Sequence, residues 1–263
     1  MNTKALFLDI DGTLVSMHTH RIPESTIEAL KMAKGNDVKI IIATGRPASL
    51  ITNLGALQQL NLIDGYITMN GAVCHVEDQV IQENFISATI VDHVLTYCEE
   101  RNICCPIFTH EEVVVYNPSP IFEEVYYANL NIPRMRTCTI AEGRALDVLQ
   151  LCPFVDEAHE QNLRQVITDP CEYNRWHPAF IDLGAAGSLK SQGIDIMARH
   201  FGFDIKQTMA IGDGGNDISM LQYAQIGVAM GNASDAVKAH ADFITTSIDE
   251  EGIYHALQHL GVI

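Results

Sequence analysis

Apolar and polar positions along the chain follow two distinct patterns. "KALFLDI" is an almost unbroken apolar run of the length of a buried parallel strand, and "STIEALKMAKGND" follows it with apolar residues at helical spacing and Gly35 as its stop. "VKIIIATG" predicts a second strand, "ASLITNLGALQQLN" a second helix, and "GYITMNGA" a third strand ending in a turn. The same pattern returns after residue 184. There "SLKSQGIDIMARHFG" predicts a helix, "TMAIGDGG" a strand and loop, "NDISMLQYA" a helix, "IGVAMGNA" a strand and turn, and "DAVKAHA" with "DFITT" a closing pair. Strands alternating with helices predict an α/β core built on a Rossmann-like, mainly parallel sheet.

Between the halves the pattern changes. Helical stretches such as "SATIVDHVLTYCEERN" and "VDEAHEQNLRQVITD" alternate with short segments rich in β-branched or aromatic residues, such as "EEVVVYN" and "AFIDLG". This predicts an inserted α+β domain over residues 84–183, between core segments 1–83 and 184–263. A chain of 263 residues is long enough for such a division.

In a parallel sheet, chemistry gathers beyond the carboxyl ends of the strands. Asp9 falls at the end of the first strand with Asp11 two residues on. "TGR" at residues 44–46 follows the second strand, Asn70 and Gly71 follow the third, and "GDGGND" at residues 212–217 follows a late one. These separate features should converge on one edge. Asp and Gly alone would suit a turn, but an apolar strand before the first pair and a second acidic loop far along the chain favour a site. Clustered carboxylates repel unless a cation compensates them, and an oxygen ligand set suits Mg²⁺. No His/Cys set has zinc spacing, and His18 and His20 read as loop residues.

The Thr44 hydroxyl and backbone N–H groups near Gly45 and Arg46 can grip phosphate oxygens, while Pro47 suits the start of a helix. Lys190, near a helix start, offers the positive balance that an acidic site needs. "GDGGND" lacks both the GxGxxG order and a P-loop Gly-Lys-Ser/Thr, and its acids suit a metal loop better than a pyrophosphate cradle. Asn216 and Asp217 are also placed to cap the helix that follows.

Composition narrows the class. The formal net charge of −17 disfavours a nucleic-acid backbone footprint. Any anionic substrate then needs a metal or a local positive site. The seven cysteines contain no CxxC pair, and their odd number suits reduced thiols rather than a disulfide framework. No run of 18 apolar residues occurs, and "MNTK" leads directly into a strand-like segment. The expectation is a cytoplasmic protein with no membrane or nucleic-acid partner, a monomer or weak homo-oligomer.

On these residues the chain resembles the haloacid dehalogenase-like hydrolase superfamily, and within it the Cof-type sugar phosphatases, over essentially its whole length. "DIDGTL" matches the first motif, "ATGR" the second, Lys190 the third and "GDGGNDISML" the fourth. "NGA" at residues 70–72, "VAMGNA" at 228–233 and "EEGI" at 250–253 strengthen the subfamily match. One departure is "LKSQG", where the family usually has "SKG". The resemblance implies Asp9 as nucleophile, Asp11 as acid/base, and phosphate held by Thr44 and Lys190. It implies Mg²⁺ held by Asp9, the Asp11 carbonyl and Asp213, with Asp217 supporting the metal shell and Asn216 holding the substrate or Lys190. Thr44, Gly45, Arg46, Asn70, Gly71, Lys190 and Asn216 are then the substrate-binding set of the core.

The residue chemistry agrees with an aspartyl-phosphate route: attack by Asp9, protonation of the leaving alkoxide by Asp11, then hydrolysis with Asp11 as base. The expected activity is Mg²⁺-dependent hydrolysis of small phosphomonoesters, foremost hexose phosphates, so that the partner is a small phosphorylated metabolite. Alternatives are a pyridoxal phosphate or flavin-precursor phosphatase, a phosphomutase and a catalytically silent phosphate-binding protein. A dinucleotide-dependent oxidoreductase lacks its fingerprint at the first strand-to-helix turn. The resemblance implies that the insertion is the cap domain that selects the leaving group, and within it "CEYNRWHPAF" is unusual. In an extended strand Tyr173, Arg175 and His177 share one face and Asn174 and Trp176 the other. Arg175 and His177 are the expected readers of sugar hydroxyls.

Overall fold

The computed structural model describes residues 2–129 and 132–263; Met1 of the "MNTK" lead-in lies outside them. The chain forms two compact units. One comprises residues 1–46, 51–82 and 189–263, and the other residues 47–50 and 83–188.

The first apolar runs become β1 (Ala5–Leu8), β2 (Lys39–Ala43) and β3 (Gly65–Thr68), followed by β4 (Val73–Val76) and β5 (Gln79–Glu83). The insertion supplies β6 (Cys105–Phe108), β7 (Val113–Tyr116), β8 (Arg136–Cys138), β9 (Gln150–Leu151), β10 (Cys171–His177) and β11 (Phe180–Ala185). The last segment adds β12 (Thr208–Gly212), β13 (Ile226–Ala229) and β14 (Phe243–Ile244). The core sheet has the order β14-β13-β12-β1-β2-β3-β4-β5, parallel from β14 to β3 and antiparallel at β4.

Residues of the central strands sort by period two. Leu6 and Leu8 pack with Ile40, Ile42, Met209 and Ile211 in a core shared with Leu30 and Ala256 of helices Glu24–Gly35 and Gly252–His259. Ala5 and Phe7 join Ile41, Ala43 and Ala210 in a second core that includes Ile194 and Met197 of helix Lys190–Phe201. Both faces are covered, which is why these strands read as continuous apolar runs. Strand β1 lies between β2 and β12, where the order reverses, and this places its carboxyl end at a topological switch point.

Two expectations need correction. The helix expected over "ASLITNLGALQQLN" forms only a 3₁₀ turn at Ala48–Leu50 and a short helix at Gly55–Gln59. Ile51, Thr52 and Asn53 between them are β-branched or compete for backbone hydrogen bonds, which disfavours helix. The chain returns to the core unit at Leu189, not at residue 184, because β11 pairs with β10 and β9 in the insertion's sheet. Strands β4, antiparallel to β3, and β5 extend the core sheet beyond the first three strands read from the sequence.

The inserted unit is built on a six-stranded sheet of order β10-β11-β9-β6-β7-β8. Helix Ala88–Arg101 sets Ile90, Val94 and Leu95 against Ile107, Val114, Leu151 and Leu183, with Leu163 of helix Glu157–Val166 in the same core. Among the described residues no helix is long and apolar enough to cross a membrane.

Candidate active site

The β1 ladder carries one residue past its end, where the Asp9 N–H donates to the Ile211 carbonyl at 3.1 Å. The chain then turns on the Ile10 carbonyl, which accepts from the N–H groups of Leu14 at 2.9 Å and Val15 at 2.8 Å. Gly12 in this turn has φ +85°, and a Cβ there would stand 2.2 Å from Asp213 Oδ2. Only glycine meets both demands, and the close approach brings the Asp213 loop against the first acidic pair.

Lys190 is fully buried and bridges two carboxylates, with its Nζ donating to Asp9 Oδ1 at 2.7 Å and to Asp217 Oδ1 at 2.5 Å. Its helix lies close against the sheet because a Cβ at Gly193 would meet Ile67 Cγ2 at 2.4 Å. Asp217 Oδ2 accepts from the N–H groups of Asp213 at 2.9 Å and Gly214 at 2.8 Å. Asp217 therefore organises the loop before it: through the Gly214 N–H it caps the 3₁₀ turn Gly215–Asp217 that opens helix Ile218–Tyr223, and it makes no side-chain cap for that helix itself. The same two bonds hold the loop that carries Asp213. One oxygen from each of Asp9, Asp213 and Asp217 falls within a 4.8 Å cluster.

Charge is unbalanced here. Burial raises the Asp9 pKa well above the ordinary carboxylate range, and Asp217, Asp213 and Asp11 push it further while Lys190 opposes them. Asp213 is pushed up to about 7 by burial and by Asp217, against the Thr13 hydrogen bond. For Lys190, burial disfavours the charge, but Asp217 and Asp9 outweigh it and raise the pKa above that of an ordinary lysine. One ammonium shared by two buried carboxylates stays charged and does not neutralise the site.

Thr44 is buried after β2, its Oγ1 accepting from the Arg46 N–H at 3.1 Å, with Gly45 half-buried between them. The Arg46 carbonyl accepts from the Met69 N–H at 3.1 Å and the Thr44 carbonyl from the Asn70 N–H at 3.0 Å. Met69, Asn70 and Gly71 stand at φ of 48°, 55° and 104°, three successive left-handed residues in the loop after β3. Such backbone persists only where its surroundings fix it. The fixing contacts are those two hydrogen bonds, the Asn216 amide donating to Asn70 Oδ1 at 2.9 Å, and Gly71 seated where a Cβ would meet the Leu189 carbonyl at 2.3 Å. Asn216 thus joins the β3 and β12 loops. Arg46 forks onto Asp11, with Nε to Oδ2 and Nη2 to Oδ1 both at 2.7 Å.

Two residues of this region were given no role by sequence reasoning. Thr13 Oγ1 donates to Asp213 Oδ1 at 2.8 Å, and Asn232 Nδ2 donates to the Gly12 carbonyl at 2.9 Å and to Asp213 Oδ2 at 3.2 Å. The signals were present in "DGT" and "VAMGNA", but neither shows that both side chains meet at one carboxylate.

In the inserted unit Arg175 is committed internally. Its Nε donates to Glu160 at 2.8 Å, Nη2 to the Val155 carbonyl at 3.0 Å, and Nη1 to the carbonyls of Pro178 at 3.0 Å, Phe180 at 3.3 Å and His177 at 3.4 Å. This corrects its expected role as a hydroxyl reader: the guanidinium ties the β10–β11 turn together. His177 stacks on Phe180 with ring centroids 5.1 Å apart and its Nδ1 accepts from the Ala179 N–H, while burial lowers its pKa. The β10–β11 register shifts between Asn174 and His177, so simple alternation of faces does not hold there. Trp176 remains 44% exposed, with its Nε1 donating to buried Asp182 at 2.9 Å.

A buried carboxylate cluster with one lysine, beside a threonine turn at the switch point of a parallel sheet, is the arrangement that the resemblance to phosphoryl-transfer hydrolases implies. A profile of the haloacid dehalogenase-like hydrolase family matches residues 6–257, and the chain belongs to that family. The chain is 48% identical to the HAD subclass IIB sugar phosphatase BT4131, whose solved structure superposes with a TM-score of 0.96 over 99% of this chain and 100% of that one. The phosphatase BT1666 from Bacteroides thetaiotaomicron is 38% identical, with a TM-score of 0.89 over 99% and 96% of the two chains. Among curated proteins, the 5-amino-6-(5-phospho-D-ribitylamino)uracil phosphatase YitU of Bacillus subtilis is 26% identical over 98% of each chain. The chain is accordingly a phosphatase of the Cof-type branch.

Proposed function

We propose that the protein is a Mg²⁺-dependent phosphatase of hexose phosphates that works through an aspartyl-phosphate on Asp9. The observation that carries this reading is the buried cluster of Asp9, Asp213 and Asp217, whose charge Lys190 alone does not offset. Hard oxygen donors with excess negative charge fit Mg²⁺, and Asp9 and Asp213 would hold it, with Asp217 fixing the loop behind them. The bound ion would offset charge on the transferring phosphoryl group and its ligands.

The remaining chemistry belongs to the chain. Lys190 holds Asp9 Oδ1, leaving the second oxygen to attack phosphorus in line while the ester P–O bond breaks. Thr44, through its hydroxyl hydrogen, and the loop N–H groups receive phosphate oxygens. Asp11 gives its proton to the departing alkoxide, then takes one from the water that attacks the aspartyl-phosphate. Phosphate leaves and the Asp9 carboxylate is restored.

The sugar reading is supported by likeness to a protein named a sugar phosphatase, and the inserted unit is the proposed source of selectivity. The name of YitU keeps a flavin-precursor phosphate as the second candidate. All seven cysteines are free, which supports a cytoplasmic setting. A panel of phosphate esters, with Mg²⁺ or with chelator, tests the reading against an Asp9→Asn control. Hexose phosphates should give the highest kcat/KM, and only with Mg²⁺. Full turnover after chelation, or a flavin-precursor phosphate at the head of the panel, would overturn it.

A further inference from the structure

We infer that Arg46 is a positioning residue for Asp11, acting through the acid/base carboxylate rather than as a clamp on the substrate phosphate. The inference rests on the acid/base reading of Asp11. Both Asp11 oxygens are taken by one planar guanidinium at 2.7 Å each, and no other hydrogen bond reaches that carboxylate among the described residues. The pair is partly open to solvent, with side chains 25% and 35% exposed, and an exposed ion pair adds little to stability. What a two-point fork does add is direction. It sets the carboxylate plane, which a single charge does not.

The anchor is itself fixed. The Arg46 N–H is held by Thr44 Oγ1 and its carbonyl by the Met69 N–H, so the guanidinium extends from backbone tied to two site loops. At the other end, Asp11 sits on the turn before Gly12, next to the carboxylates of the cluster. Released from Arg46, its side chain would sample other staggered rotamers, and repulsion from Asp9 and Asp213 would favour those turned away from the leaving group.

Two substrates and a double-mutant cycle test this. Wild type, Arg46→Ala, Arg46→Lys, Asp11→Asn and the double variant Arg46→Ala/Asp11→Asn are assayed on hexose 6-phosphate, whose alkoxide leaves poorly, and on p-nitrophenyl phosphate, whose phenolate needs no proton. Circular dichroism confirms that each is folded. Arg46→Ala should lower kcat on the hexose phosphate by about 100-fold, the scale of a misplaced general acid, and on the aryl phosphate by under about five-fold. KM should hold within about three-fold on both. Arg46→Lys keeps the charge without the fork and should remain about ten-fold down on the hexose phosphate. The double variant should be no worse than Asp11→Asn alone. Equal losses on both substrates with raised KM would make Arg46 a phosphate clamp and overturn the inference. So would additive losses in the double variant, or an unchanged Arg46→Ala. If Asp11→Asn itself fails to separate the two leaving groups, the acid/base reading falls, and the coupling between Arg46 and Asp11 still decides whether one positions the other.

Discussion

The two units treat charge in opposite ways. In the inserted unit Glu160 is partly buried, which works against its charge, but hydrogen bonds from Arg164 and Arg175 outweigh that and lower its pKa. In the core unit Asp9 and Asp213 are also buried, and there the neighbouring carboxylates add to the cost, so both pKa values rise. The same side-chain chemistry makes a closed structural joint in one place and an uncompensated field in the other. The lesson is that a charged cluster marks a binding site when its own cations fail to balance it, and a scaffold when they do.

The sharpest way to break this contrast is to remove one member from each side. Asp9→Asn should lower kcat by on the order of 10⁴-fold or more, as loss of a nucleophile does, whereas Arg175→Ala should leave kcat on p-nitrophenyl phosphate within about two-fold. Similar kinetic losses for both would erase the distinction. Next in size, Thr13→Val or Asn232→Ala should raise the Mg²⁺ concentration for half-maximal activity by about 10- to 100-fold, since each orients the Asp213 carboxylate. An unchanged Mg²⁺ requirement would separate these contacts from the metal.

Arg175→Ala should instead appear as lost stability. Removing a guanidinium that ties together one carboxylate and four carbonyls leaves acceptors unpaired, two of them on buried Val155 and Phe180, at about 1–3 kcal/mol, and thermal unfolding should report it as a lowered Tm. An unaltered Tm would remove the staple. The smallest effect is on pH dependence. A carboxylate raised from 3.8 to about 7 binds more protons folded than unfolded between those values, so metal-free protein should lose stability as pH rises through that window. Mg²⁺ should then stabilise more at pH 8 than at pH 5. Melting curves with chelator that are flat or rise with pH would contradict the charge imbalance.

Much of the site was legible because a parallel sheet brings the ends of its strands together, so Asp9, Thr44, Asn70 and the "GDGGND" loop could be assigned to one edge before any contact was known. Pairings were not legible. Thr13 and Asp213 are 200 residues apart, and nothing local tells that the hydroxyl and carboxylate meet. Arg175 misled for a related reason. A strand arginine next to Trp and His reads as a surface reader until its partners, Glu160 and the carbonyls of Val155 and Pro178, are seen around it. The broken helix after Pro47 escaped because apolar spacing was right while Ile51 and Thr52 worked against the helix.

On the proposed function, the core cluster is short of positive charge and is completed by a divalent cation. Calorimetric titration of the wild-type protein with Mg²⁺, repeated in buffers of different ionisation enthalpy, tests it without any substrate. The charge imbalance predicts saturable binding with proton release that is clear near pH 6 and falls as pH rises through about 7, as Asp213 gives up its proton to make room for the ion. Asp213→Asn should bind far more weakly. Absence of binding to the wild type, or equal binding by Asp213→Asn, would contradict the account.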